Sequence, residues 1–204
     1  MIARIAVIYY SSTGTIHSLA QDIVRGAESA GAEVRLRRAA ELAPDSVVDQ
    51  NPEWRAHLDA TKDVPEVSHD DLRWADGFAF GTPSRFGNVA SQLKQFIDTT
   101  SGIWNEGVMV GKGATGFTSS YELHGGQETT LVALYNVMHH WGTVIVPTGY
   151  ADYDLIHEGG GNPYGISATH PDEEGRKAVR LAAEFHGARF ARVCAALRTV
   201  RDEG

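Results

Sequence analysis

Residues 2–10, IARIAVIYY, form a near-continuous apolar, β-branched and aromatic run. Such a run predicts a buried central strand of a parallel sheet, from Ile2 to Tyr10. It stops at Ser11-Ser12-Thr13-Gly14-Thr15. From Ile16 to Ala30 the apolar positions fall at Ile16, Leu19, Ala20, Ile23, Val24 and Ala27, a helical spacing that Gly31 ends. Glu33 to Arg38 (EVRLRR) alternates as a half-exposed edge strand does, and its arginines Arg35, Arg37 and Arg38 read as a solvated face. The opening is therefore a βαβ unit.

The pattern breaks over 41–67, where Pro44, Pro52 and Pro65 interrupt a polar stretch. This predicts an irregular excursion with one short helix near Glu53–Ala60, then a short helix or turn over 69–76. Gly77 to Thr82 is a third strand closed by Pro83, and a helix follows from about Val89 to Thr100. Lys112 to Thr118 gives a fourth strand, Gln127 to Trp141 a helix, and Thr143 to Pro147 a fifth strand. A long Gly-rich loop spans 148–171, and a helix from about Asp172 to Leu197 closes the chain. Strands alternating with helices predict a single α/β domain over 1–204, with a doubly wound five-stranded parallel sheet and right-handed crossovers. Loops as long as 41–67 and 148–171 tend to be functional or to form interfaces.

Three loops leave the carboxyl ends of parallel strands. The first, Ser11 to Ile16, is small and rich in hydroxyls and opens a helix. Free backbone N–H groups, the positive end of the helix dipole and hydroxyl donors converge there, which makes a phosphate cradle. The loop holds no Lys or Arg, so it lacks the lysine a Walker loop requires. It suits a monophosphate held permanently. A simple helix cap needs one Ser or Thr; Ser11, Ser12, Thr13 and Thr15 supply four. The second loop is Pro83-Ser84-Arg85-Phe86-Gly87-Asn88, and the third runs from Thr118-Ser119-Ser120-Tyr121 to Gly125. Ligands of open α/β sheets sit outside the strands' carboxyl ends at the topological switch point, which in the flavodoxin-like order 2-1-3-4-5 lies between strands one and three. A flat isoalloxazine needs backbone amides for its polar edge and apolar or aromatic cover for its faces. Arg85, Phe86 and Asn88 offer both kinds of group, and Tyr121 and Trp104 are candidate faces, although ordinary packing explains Phe86 or Trp104 equally well.

Composition narrows the partners. The 204 residues carry a net charge of −8 with scattered basic side chains, which argues against nucleic acid. The one cysteine, Cys194, sits in an Ala-rich helical run. It reads as a small buried residue, excludes an internal disulfide or thiol–metal site, and fits a reducing cytoplasm. No apolar run reaches the roughly 18 residues of a membrane helix, so no membrane insertion is expected. Gly111 to Gly116 matches GxGxxG but leads into a strand rather than out of the first one. His139 and His140 occupy adjacent helical positions that face different directions, so no metal site is expected. No GxSxG elbow is present.

With these residues in place, the chain resembles the WrbA-type NAD(P)H:quinone oxidoreductases of the flavodoxin-like superfamily. The matching stretches are YYSSTGTIHSLA at 9–20, FGTPSRFGNVASQLKQFIDTTSGIW at 80–104, GGQETTL at 125–131, HHWGTVIVPTGY at 139–150 and GGNPYG at 160–165. The resemblance implies bound FMN, NADH or NADPH as hydride donor, two-electron reduction of a quinone, and a homotetramer. Carried over by matching position, it implies phosphate binding by Ser11 to Ile16. It implies ring contacts by Ser84, Arg85 and Phe86 and by the loop from Ser119 to Gly125. His139 is implied to touch FMN from a neighbouring subunit, and Trp104 to flank the open ring face where nicotinamide and quinone alternate, which makes these two the expected catalytic residues. Two departures stand out: Thr13 replaces a frequent aromatic residue, and Tyr121, Glu122, Leu123 and His124 add bulk to a loop that is usually Gly-rich. A one-electron carrier and a regulatory protein-binding module are the rival readings.

Overall fold

β1 (Arg4–Tyr9) is buried at every position after Arg4, as a central strand covered on both faces must be. In this computed structural model, which describes residues 2–169 and 173–202, β1 lies between two parallel neighbours. These are β2 (Glu33–Arg38) and β3 (Gly77–Pro83). β3 pairs in turn with β4 (Gly113–Ser119), and β4 with β5 (Val144–Ile145). All pairings are parallel, and the order is β2-β1-β3-β4-β5, as the sequence predicts.

Helices cover both faces. On one, α1 (Thr15–Ser29) packs on the closing helix α9 (Glu173–Asp202). Their backbones nearly touch, because a Cβ at Gly26 would fall 1.9 Å from the Glu184 carbonyl oxygen and one at Gly187 2.3 Å from that of Ile23. The other face carries α4 (His69–Trp74), α5 (Ser91–Asp98) and α7 (Gln127–His140) over a core that includes Ile8, Leu72, Phe78, Phe80, Leu93 and Leu134.

Several boundaries depart from expectation. The excursion holds two helices, α2 (Asp45–Val48) and α3 (Pro52–Ala60), where one was expected. The helix after β3 ends at Asp98 and is followed by α6 (Ser101–Asn105). The expected Gly-rich loop 148–171 contains α8 (Tyr153–Glu158) and a sixth strand, β6 (Ile166–Ala168). β5 pairs with Gly113 and Ala114 at the start of β4, whereas β6 pairs with Phe117 to Ser119 at its end. The fifth position of the sheet is thus shared by two short strands. His170, Pro171 and Asp172, the end of that loop and the expected start of the last helix, lie outside the described residues.

The arginine stripe of β2 is not a solvated face. Arg35 and Arg37 reach the buried Asp71 carboxylate at 3.2 and 2.9 Å, and Arg35 lies 4.1 Å over the Trp74 ring. Arg38 bonds the Val64 carbonyl and pairs with Glu66, both at 3.0 Å. α4 and the chain leading into it cover the strand. The GxGxxG stretch leads into β4: Gly111 is a turn residue at φ 73°, and the other two glycines are packing positions, where a Cβ at Gly113 would lie 2.5 Å from Cys194 Sγ and one at Gly116 2.9 Å from Leu131. Cys194 is buried, and burial pushes its thiol pKa up.

Candidate functional site

The loops after β1, β3 and β4 meet at one edge of the sheet. After β1, Gly14 takes φ 105° and begins α1 with no side-chain cap. Its N–H donates to Ser11 Oγ at 3.0 Å, and its carbonyl accepts from Ser18 N at 2.9 Å. The N–H groups of Thr15, Ile16 and His17, in the first helical turn, have no intrahelical acceptor. After β3, Arg85 and Asn88 close a turn by reciprocal backbone bonds of 2.9 and 3.1 Å, with Phe86 at φ 55° and Gly87 at φ 74°.

Ser84 ties this turn to the loop after β4. Its N–H donates to Ser119 O at 2.7 Å and its hydroxyl to Gly125 O at 2.9 Å. The same hydroxyl oxygen accepts from Gly87 N at 3.2 Å and lies 3.0 Å from Thr130 Oγ1. Gly126, at φ 80°, rests against Gly87 so closely that a Cβ there would be 2.7 Å from the Gly87 Cα.

These loops enclose an open cavity of about 350 Å³. Ser11, Ser12, Thr13, Thr15 and Ile16 line it from the first loop, Pro83, Ser84 and Arg85 from the second, and Ser119, Ser120 and Tyr121 from the third. Among the described residues that line the space, Arg85 is the one cation, its guanidinium donates to Ser12 Oγ at 3.2 Å, and none is a carboxylate. Amide N–H groups, hydroxyls and one guanidinium make a donor set for a phosphate monoester.

The other expected residues stand elsewhere. Gly14 borders a cavity of about 970 Å³ between α1 and α9, whose rim at Thr169 and Glu173 adjoins residues outside the described set. Thr118 is buried in β4 and donates to Thr82 O at 2.7 Å. Phe86 is fully exposed, while Gly87, Asn88 and Gly125 shape the turns without lining the cavity. His139 lies in the last turn of α7, which begins at this edge and extends about 20 Å away from it. Trp104, on α6, is half-exposed and donates its Nε1–H to His140 O at 2.7 Å. Trp104 and His139 therefore stand together at the end of α7 remote from their own chain's cavity. Among the described residues, no group of three His, Cys, Asp or Glu is placed to hold a metal.

Sequence reasoning missed two lining residues, Asn51 and Trp54. Asn51 caps α3, accepting from Glu53 N and Trp54 N. Asn-Pro is a legible helix start, but nothing local places that helix over the exit of β1.

Beneath the first loop, His17 Nδ1 lies 2.6 Å from Tyr9 Oη, and the His57 ring is 5.5 Å from that of His17. Burial lowers the pKa of both histidines, joined at His57 by the nearby His17, and pushes Tyr9 up to about 12. Positive potential at the cradle therefore comes from the helix start and Arg85.

A family model described as NADPH-dependent FMN reductase matches residues 3–155. An NAD(P)H dehydrogenase (quinone) of Deinococcus radiodurans is 46% identical over 166 residues, 81% of this chain and 82% of the relative. NAD(P)H dehydrogenase (quinone) 3 of Rhizobium meliloti is 40% identical over 192 residues, 93% of this chain and 88% of the relative. Among solved structures, a flavodoxin, WrbA-like protein from Agrobacterium tumefaciens superposes with a TM-score of 0.67 at 24% identity, covering 95% of this chain and 98% of its own. The fold is flavodoxin-like.

Proposed function

The chain belongs to the NADPH-dependent FMN reductase family, and from that premise we propose that it is a WrbA-type NAD(P)H:quinone oxidoreductase working through bound FMN. The observation that carries this reading is the junction of three loops into one cavity whose described lining includes Arg85 and no carboxylate. Its donor set fits the phosphate of FMN, and its Ser119–Tyr121 and Pro83–Arg85 walls border the space a flat ring requires. Bound there, FMN would supply hydride-transfer chemistry between a nicotinamide and a quinone.

The chain's own part is binding, orientation and electrostatics. The amides of Thr15, Ile16 and His17, with the hydroxyls of Ser11, Ser12, Thr13 and Thr15, hold the phosphate. Arg85 adds a full positive charge next to Ser12. Ser84 fixes the second loop against the third, so that the ring-binding walls keep their spacing. Negative charge gathering in the cavity meets donors and a guanidinium rather than a carboxylate, which is electrostatic preorganisation. Tyr121, exposed at the mouth, gives an incoming planar substrate an apolar face. With donor and acceptor meeting the bound cofactor at the same cavity mouth, the reaction would be ping-pong, the oxidised nucleotide leaving before the quinone enters.

Trp104 and His139 act, in this reading, at the cavity of a neighbouring subunit within a homotetramer, and the protein works in the cytoplasm as one domain per subunit. The test is direct. Purified protein is expected to be yellow, to scatter light as a tetramer, and to oxidise NADH or NADPH only when benzoquinone is present. FMN-loaded protein that shows no quinone-dependent oxidation of either nucleotide refutes the assignment.

A further inference from the structure

We propose that Trp54 forms a wall of the FMN site and that Glu41 is the positioning residue that holds it there; this rests on the FMN reading above. Trp54 and Tyr121 are the two aromatic rings among the cavity-lining residues, and the rest of the lining is mostly small and hydroxylic. An indole at that place covers the bound cofactor with an apolar face and keeps water from the phosphate's hydrogen bonds.

Packing holds α3 only loosely: it fully buries none of its side chains, and the half-buried His57 meets the His17 ring at 5.5 Å. Its ion pairs from Arg55 to Asp45 and Asp49, both at 2.6 Å, join it to α2 within the same excursion rather than to the sheet. The hydrogen-bonded tie of the indole itself to the sheet runs through Glu41. Glu41 Oε2 accepts from Trp54 Nε1 at 3.0 Å and from Tyr10 Oη at 2.9 Å. Glu41 Oε1 accepts from Gln92 Nε2 at 2.9 Å, Leu42 N at 2.8 Å and Ala43 N at 2.9 Å.

Five donors occupy the roughly four lone-pair sites of one carboxylate. Tyr10 directly precedes the phosphate loop, and Gln92 sits on α5. One anion thus fastens the excursion to the exit of β1 and to the helix layer beside it. Burial works to raise the Glu41 pKa, but the bonds from Ala43, Gln92, Tyr10 and Trp54 outweigh it and leave the pKa below its ordinary value. The clamp is therefore ionised at neutral pH.

The experiment is an FMN titration of the full chain followed by two signals, flavin fluorescence for binding and tryptophan emission for proximity. The chain has four tryptophans, so the difference between wild type and Trp54→Phe isolates the emission of Trp54. That emission is expected to be nearly abolished at FMN saturation. Trp54→Ala is expected to weaken FMN binding roughly tenfold, the scale of losing one aromatic contact. Glu41→Gln is expected to weaken it several-fold and to red-shift the Trp54 emission, with little further weakening when combined with Trp54→Ala. Glu41→Asp keeps the charge but shortens the reach, and is expected to do the same if the glutamine variant does not fold. Wild type that binds FMN while Trp54 emission persists and Trp54→Ala keeps full affinity overturns the wall. Full additivity of the Glu41 and Trp54 substitutions overturns the positioning role. Wild type that binds no FMN removes both this inference and the function it rests on.

Discussion

Ser84→Ala removes one oxygen at the joint between the second and third loops. Three partners lose it: Gly125 O at 2.9 Å, Gly87 N at 3.2 Å and Thr130 Oγ1 at 3.0 Å. Each such bond contributes about 1 kcal/mol net, and a buried partner left unsatisfied costs more. Water reaches part of this joint, and Thr130 retains an alternative acceptor in Gly126 O at 2.8 Å. The backbone bond from Ser84 N to Ser119 O, at 2.7 Å, survives the substitution. The expected loss is therefore about 2 kcal/mol in the apo protein, or about 6 °C in Tm for a chain of this size. Urea unfolding of apo protein measures it as a lower midpoint at unchanged slope. FMN affinity should fall as well, because Ser84 lines the cavity and ties two of its walls together. Thr130→Val separates the two effects, since it cuts the same joint from a fully buried position behind the cavity. A double-mutant cycle should give a coupling of about 1 kcal/mol between the two sites. If Ser84→Ala unfolds at the wild-type midpoint, this joint does not set the spacing of the walls, and the electrostatic argument loses its geometry.

Gly126→Ala is expected to destabilise the protein by about 2–4 kcal/mol and to impair FMN binding, read by urea unfolding and flavin titration. A left-handed residue other than glycine costs about 1–2 kcal/mol, and the new Cβ would meet the Gly87 backbone at 2.7 Å, where nothing can yield. His186 predicts acid sensitivity: it is fully buried, 2.8 Å from Thr115 Oγ1, and burial lowers its pKa from 6.5 to about 3. The unfolded chain takes up a proton below pH 6.5 that the folded chain refuses until about pH 3, so this stability is complete above 6.5 and is lost as pH falls, by about 3 kcal/mol at pH 4.5. His186→Gln should flatten that part of the stability profile measured by urea unfolding from pH 7.5 to 4.5, and an unchanged profile contradicts the assignment.

What the sequence discloses depends on the length of the pattern. β1 and β3 read correctly because each is a long apolar run ended by turn residues, and α1 because its apolar stripe spans four turns. That the loop after β1 lines a cavity is legible because four hydroxyl residues at a strand-to-helix junction have one shared chemical use. β6 was hidden because Ile166–Ala168 is too short to show a period, and it becomes a strand only by pairing with the end of β4. The arginines of β2 were misread because alternation separates the faces of a strand but does not reveal what covers each face. Trp54 is not legible because its place in the cavity depends on contacts between Glu41, Tyr10 and Gln92, which lie up to 82 residues apart.

The placement of Trp104 and His139 follows from the geometry of α7. The helix begins at Gln127, beside the loop that walls the cavity, and ends at His140, where Thr143 turns the chain back toward β5. A rigid helix about 20 Å long cannot present both ends to one cavity. In the proposed function the flavin that His139 touches therefore belongs to another chain, as does that of Trp104, whose indole is bonded to the His140 carbonyl. In a closed symmetric assembly every chain both lends and receives such a pair. The proposed tetramer is then a condition for completing each active site rather than a matter of stability alone. The loops that line the cavity, by contrast, all belong to one chain, so in the proposed function FMN binding and quinone reduction should depend on assembly to different degrees.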